Sequence, residues 1–163
     1  SLDHCTVSGN NADNGGGIFN NYSLGPITLT LAISNTTFSG NNATSSGGAI
    51  YNGPSCVIEL PNSTLSGNGA ASGGAVMDVN GRFSAFSSTI SGNAAGAFGG
   101  AIVGSGGFII LRGSIVAGNT APTDPDISGT YSNQGGCIIA TMRNRKMIFF
   151  VWQKRFSCIG DLN

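Results

Sequence analysis

Chemistry needs side chains that move protons, attack or hold ions, and this 163-residue chain offers few of them. Charged residues make up 9%, with seven Lys+Arg against seven Asp+Glu. His4 is the single histidine. That excludes a multi-histidine metal centre, and a Ser–His–Asp site would depend on a residue at the start of the chain, where chains fray. Cys5, Cys56, Cys137 and Cys158 contain no C-x-x-C pair, so neither zinc nor redox chemistry is expected. Asp124 and Asp126 form the one close acidic pair, in a proline-containing corner without a neighbouring base, and read as a solvated turn. The glycine-rich stretches lack the G-x-x-x-x-G-K-[ST] pattern of a phosphate loop. The expectation is no catalytic residue, no cofactor and no metal, hence no enzyme.

Hydroxyls and amides abound instead. Thr6 and Ser8, Thr37 and Ser39, Thr64 and Ser66, and Thr89 and Ser91 stand in successive T-x-S triplets. Alternation along a strand puts both hydroxyls of a triplet on one side, about 7 Å apart. Stacked triplets would make two hydroxyl columns, the candidate contact surface of this chain. Such arrays resemble the T-x-T faces of ice-binding β-helices, although β-branched Thr in a strand with soluble Ser beside it is the plainer explanation.

The triplets belong to a repeat. CTVSGN from Cys5, TTFSGN from Thr36, STLSGN from Ser63, STISGN from Ser88 and SIVAGN from Ser114 are one motif. Their last residues, Asn10, Asn41, Asn68, Asn93 and Asn119, lie 31, 27, 25 and 26 apart. A second motif trails the first four copies: GGGIFN from Gly15, GGAIYN from Gly47, GGAVMD from Gly73 and GGAIVG from Gly99. A third, apolar or alternating run completes each period: Ile27 to Ile33, Val57 to Leu60, Arg82 to Phe86 and Phe108 to Leu111. Strand-sized pieces at a period near 26 bury their apolar sides only by stacking on copies of themselves. The reading is an all-β, right-handed parallel β-helix of about five coils with three short strands each, roughly 24 Å long at one strand spacing per coil. Val7, Phe38, Leu65, Ile90 and Val116 would point inward, Gly-Asn would turn the corners, and the Asn column would ladder from coil to coil.

The pairing of Gly-Gly-Ala-Ile (Gly47 to Ile50, Gly99 to Ile102) with Phe-x-x-Asn (Phe38 to Asn41) resembles the double repeat of chlamydial polymorphic outer membrane proteins. It is equally similar to a broader set of bacterial surface β-helix proteins. The resemblance covers residues 5 to about 136; Val7, Leu65, Ile90 and Val116 replace the Phe elsewhere, and no outer-membrane barrel follows. It implies an exported, extracellular or cell-surface rod. Parallel β-helices also include polysaccharide lyases and hydrolases, whose sites resemble clustered Asp with Lys or Arg on one outer face. Here Asp78 aligns with Asn52 and Gly104 one coil away, and Glu59 stands alone.

Composition shifts near residue 136. Residues 1–136 carry Arg82 and Arg112 against Asp3, Asp13, Glu59, Asp78, Asp124 and Asp126, a net of −4. Residues 137–163 carry Arg143, Arg145, Lys146, Lys154 and Arg155 against Asp161, a net of +4, and hold one glycine of 27. This tail, including MRNRKMIFFVWQKRF from Met142, reads as a cap strand or helix over the solenoid end, as an out-of-frame segment, or less readily as a membrane-surface segment. Its longest apolar run, Met147 to Trp152, is far short of a spanning helix. Five basic charges without a basic fold behind them are only a modest electrostatic footprint, so no nucleic-acid partner is expected. No signal segment is visible, and any would lie outside this sequence.

The sequence therefore predicts a β-helix over 1–136 and a non-repeat tail over 137–163. The expected role is that of an adhesin-like surface segment making weak contacts with glycans or host proteins through its Ser/Thr/Asn faces and loops such as residues 20–26. The opposing class is a fragment of a carbohydrate-active β-helix enzyme; the third is an ice-binding face.

Overall fold

The computed structural model describes residues 1–22, 28–143, 146–153 and 156–158, and their side chains as far as residue 140. The apolar run from Ile27 and the loop expected at residues 20–26 fall partly outside this set.

Strands stay short because a left-handed residue ends each one. His4, Asn35, Asn62 and Ser87, with φ near 50°, and then Gly113, turn one corner; Gly9, Gly40, Gly67, Gly92 and Gly118, with φ of 61–70°, turn the next. Only Gly, Asn and a few small polar residues accept this region cheaply. Between corners the chain lays down four faces, each a sheet whose strands come from successive coils. The first face contains Leu2–Asp3, Leu29–Ser34, Cys56–Pro61, Arg82–Phe86, Phe108–Arg112 and Tyr131–Asn133. The second contains Thr6–Ser8, Thr37–Ser39, Thr64–Ser66, Thr89–Ser91, Ile115–Ala117 and Ile138–Arg143. The third has Asn11–Asn14, Asn42–Ser46, Gly69–Ser72 and Ala94–Phe98; the fourth has Ile18–Asn20, Ile50–Asn52, Val76–Val79, Ile102–Ser105 and Ile127–Ser128. Pairing between coils is parallel throughout. The fold is a parallel β-helix.

Two details differ from expectation. Each coil has four strands, not three. The unforeseen third face is built from Asn, Ala, Ser and Gly, with inward positions such as Ala43 and Ala95, so it carries no apolar alternation to read. Its register also slips within each pair. Four coils are complete, and the fifth is reduced on its third side to single bridges at Thr120 and Thr123.

The core is a set of columns running along the axis. Phe38, Leu65, Ile90 and Val116 form one, with Ile50, Val76 and Ile102 and with Ile58, Phe83 and Ile109 beside them, all fully buried. The Gly-Gly-Ala step is a contact requirement. A Cβ on Gly48 would land on the Gly74 carbonyl oxygen, one on Gly74 on that of Gly100, and one on Gly100 on that of Pro125.

The repeat ends by losing its corner. Ile138, Ile139 and Ala140 still pair in register with Ile115, Val116 and Ala117. Where Gly118-Asn119 turned, Thr141-Met142 continue the strand to Arg143. Lys146–Gln153 and then Phe156–Cys158 add to the same sheet antiparallel, so the described part of the tail is strand.

The two glycine classes give a test. Gly92→Ala meets almost nothing but keeps φ at +65°, a cost of about 1–2 kcal/mol. Gly74→Ala drives Cβ into backbone of the adjoining coil, so thermal denaturation should show the larger fall in Tm for Gly74→Ala.

Candidate contact face and its supports

The T-x-S triplets occupy the second face. Val7, Phe38, Leu65 and Ile90 enter the core, so the flanking hydroxyls point out. Thr6, Thr37, Thr64 and Thr89 lie in one register column and Ser8, Ser39, Ser66 and Ser91 in another. Columns step along the axis by about 4.8 Å, one strand spacing. None of these eight hydroxyls is held in a hydrogen bond among the described residues. The columns end in Ile115 and Ile138 and in Ala117 and Ala140, so the face turns apolar toward the last coils. No charged side chain stands in these columns as far as residue 140.

Two buried ladders hold this face flat, one under each edge. Under the Ser edge run Asn10, Asn41, Asn68, Asn93 and Asn119. Each Nδ2 donates to the next Oδ1 at 2.9–3.0 Å, and each backbone N–H donates to the same oxygen at 2.9–3.2 Å. The second Nδ2 proton of Asn41, Asn68, Asn93 and Asn119 goes back to the carbonyls of Val7, Phe38, Leu65 and Ile90. Asn side chains deep in the core thus have both amide donors and the acceptor engaged, the condition for burying them. This confirms the expected Asn ladder.

The Thr edge is underpinned by Cys5, Thr36, Ser63, Ser88, Ser114 and Cys137. The backbone N–H of each residue from Cys5 to Ser88 donates to the hydroxyl of the next, at 3.1–3.3 Å. Each hydroxyl donates to the carbonyl two residues earlier. Thiols stand at both ends of the row: Cys5 Sγ on Asp3 O and Cys137 Sγ on Gly135 O repeat the same contact. Cys5 is half-buried and Cys137 buried. Cys158 lies outside the described residues.

The acidic residues are placed differently from the solvated corner expected. Asp124 takes the left-handed position that Gly99 fills one coil earlier. Asp126 takes the place of Ala101, with Ile102 paired to Ile127, and is 1% exposed. Its Oδ1 accepts Asn119 Nδ2 (2.8 Å) and Asn119 N–H (3.3 Å), closing the Asn ladder where no further Asn follows. Asp126 is therefore a buried structural cap, and "TDPDIS" is a worn copy of the Gly-Gly-Ala-Ile motif.

Asp78 aligns with Asn52 and Gly104 as expected, but it is fully buried. It ends a short inner ladder, Asn20 Nδ2 to Asn52 Oδ1 (2.9 Å) and Asn52 Nδ2 to Asp78 Oδ1 (2.6 Å). Burial pushes its carboxyl up to about 6, partly opposed by Asn52 and by the Phe108 N–H. Burial likewise raises the Cys56 thiol. At the first coil, Asp3 accepts from Ser34, Asn35 and His4, and these contacts hold its carboxyl well below the usual range. Glu59 pairs with Arg82 at 3.4 Å on the exposed first face.

No group of three His, Cys, Asp or Glu gathers among the described residues. The fourth face presents Phe19 stacked on Tyr51, ring centroids 5.0 Å apart. A cavity of about 270 Å³ lies beside the fifth coil, lined by Gly118, Asn119, Thr120, Ala121, Pro125 and Ala140. Among the described residues no helix is long and apolar enough to cross a membrane.

The coils, corners and paired ladders define a parallel β-helix repeat segment. Residues 35–53 match the family model of the Chlamydia polymorphic membrane protein (Chlamydia_PMP) repeat. The match runs from the Asn35 corner over the second and third faces to Ile50–Asn52, three of the four sides of the second coil. No curated protein and no solved structure matches the chain. Repeat match and fold agree with the resemblance read from the sequence: the chain is a parallel β-helix with a stretch similar to that membrane-protein repeat.

Removing the ladder cap and altering the face should differ sharply in their cost to stability. Asp126→Ala strands two buried Asn119 donors, a loss of about 1–3 kcal/mol. Thr64→Val with Ser66→Ala changes outward groups only and should stay within about 0.5 kcal/mol. Denaturation followed by circular dichroism distinguishes the two.

Proposed function

We propose that this segment is a non-enzymatic, adhesin-like display rod of a cell-surface or secreted protein, making weak contacts with glycans or host-surface proteins through its Ser/Thr/Asn faces. The observation that carries this reading is the second face: eight unengaged hydroxyls in two registered columns, fixed by ladders beneath both edges. Glycan hydroxyls pair with such groups without any charge. Each contact is worth little, about 0.5–1.5 kcal/mol net, so a row of them rather than one pocket supplies recognition.

The placement of two acidic residues also supports the non-enzymatic reading. Acid–base cleavage of a glycosidic bond needs two carboxyls about 5–9.5 Å apart around a substrate. Asp78 and Asp126 are instead sealed in the core and used by Asn ladders.

A panel of neutral and acidic polysaccharides tests the proposal. The expected result is weak binding without shortening of the polymer, abolished when Thr37, Thr64 and Thr89 become Val and Ser39, Ser66 and Ser91 become Ala. Depolymerisation by the full gene product would establish the enzyme class. Thermal hysteresis lost in the same variant would instead assign the face to ice.

A further inference from the structure

The third coil holds a carboxylate that neither the display face nor the repeat explains. Asp78 stands where earlier coils have Asn20 and Asn52, at 0% exposure. Its Oδ1 accepts Asn52 Nδ2, and its Oδ2 has no hydrogen-bond partner. Phe108 N–H lies near enough to act on the carboxyl, but its own hydrogen bond goes to the Gly81 carbonyl at 3.0 Å. The carboxylate fits only because the chain around it is glycine: a Cβ on Gly81 would press on Oδ1, and one on Gly107 would coincide with Oδ2.

Among the described residues no positive charge faces Asp78. From Cys56–Pro61 the facing titratable group is the Cys56 thiol, whereas Glu59 points outward. From Arg82–Phe86 only the Arg82 carbonyl approaches, accepting from Asn52 Nδ2 at 3.3 Å, while its guanidinium pairs with Glu59 on the surface. Phe108–Arg112 places Arg112 at its far, exposed end; Ile102–Ser105 carries no titratable side chain, and Ile50–Asn52 carries only the outward Tyr51. The cover over Asp78 is the corner itself: the ladder pair of Val79 with Ser105, a bridge between Val79 and Gly106, the Asn80 N–H to Ser105 O and Phe108 N–H to Gly81 O bonds of 3.0 Å each, and left-handed Asn80 and Gly106.

We propose that Asp78 is a proton-operated latch on the corner formed by residues 79–81 and 104–107. Ionised, the carboxylate is stabilised by water and favours opening of that glycine-rich corner. Protonated, it is a neutral end to the Asn20–Asn52 ladder, and the corner closes over it. The sign follows from linkage: a carboxyl raised in the closed state binds more protons there than when open. Closure is therefore strongest below the ordinary carboxylate range and weakens as pH rises through about 6. Over pH 5 to 7.5 the opening equilibrium should rise about tenfold.

Hydrogen exchange on the full chain, corrected for intrinsic rates, reads this directly. Amides of residues 79–81 and 105–108 should open about tenfold more at pH 7.5 than at pH 5. Asp78→Asn should remove that dependence, and Glu59→Gln should leave it intact. Equal opening at both pH values, or a dependence surviving in Asp78→Asn, overturns the latch. Should Asp78→Asn not fold, carboxyl-carbon NMR of the unaltered chain decides. A midpoint near 6 supports the proposal, and one near the unperturbed 3.8 removes it.

Discussion

Everything in this molecule follows from stacking one coil on another at a single strand spacing. At about 4.8 Å nothing but backbone and small groups fits between coils at a tight corner. That is why the second glycine of each Gly-Gly pair is a glycine, since its missing Cβ is occupied by the carbonyl of the next coil. It is also why polar residues can line the interior. A side chain buried at one level finds the same side chain one level on, so a column of Asn or Ser satisfies itself. The constraint sets stability as well, because each coil is held chiefly by its neighbours.

A self-satisfying column has a weakness at its ends. The donors that link one Asn to another point toward higher residue numbers, so the last Asn needs an acceptor that no further Asn provides. Both inner Asn columns end on a carboxylate: Asn119 on Asp126, Asn52 on Asp78. A carboxylate suits this place since it only accepts. The two ends are not equivalent. Asn119 gives Asp126 both a side-chain and a backbone donor, whereas Asn52 gives Asp78 a side-chain donor alone. The hydroxyl column closes differently, on thiols that reproduce the hydroxyl's contact with the carbonyl two residues back.

The sequence made these layers legible to different depths. Coil spacing, the inward Phe38–Leu65–Ile90–Val116 column, the outward Thr and Ser columns and the Asn ladder all follow from one motif at a fixed offset, and residues 35–53 match the repeat model. The third face was hidden because its inward residues are Ala and its outward ones Asn, Thr and Ser, which leaves turn composition rather than strand alternation. Asp126 was hidden by drift: only the register of Ile102 with Ile127 reveals that Asp-Pro-Asp stands where Gly-Gly-Ala stood. Asp78 was visible as an Asn-to-Asp change, but its burial depends on the glycines of the adjoining corner, which lie in a different part of the repeat.

A flat registered face and a convergent pocket place opposite demands on a fold. Catalysis concentrates a few groups around one reacting atom, so it needs concavity and breaks in the repeat. Display multiplies one modest group along a line, so it needs the repeat kept unbroken and its surface rigid. The second face keeps Thr and Ser through four coils and loses them at Ile115 and Ala117, just before Asp126 closes the ladder below. Surface pattern and interior support therefore end together. On the display reading, further coils of the same kind would add binding by multivalency without a new contact type, since each bound hydroxyl raises the effective concentration of the next. Recognition would then scale with the number of T-x-S coils, which makes coil count rather than any single residue the quantity on which affinity depends.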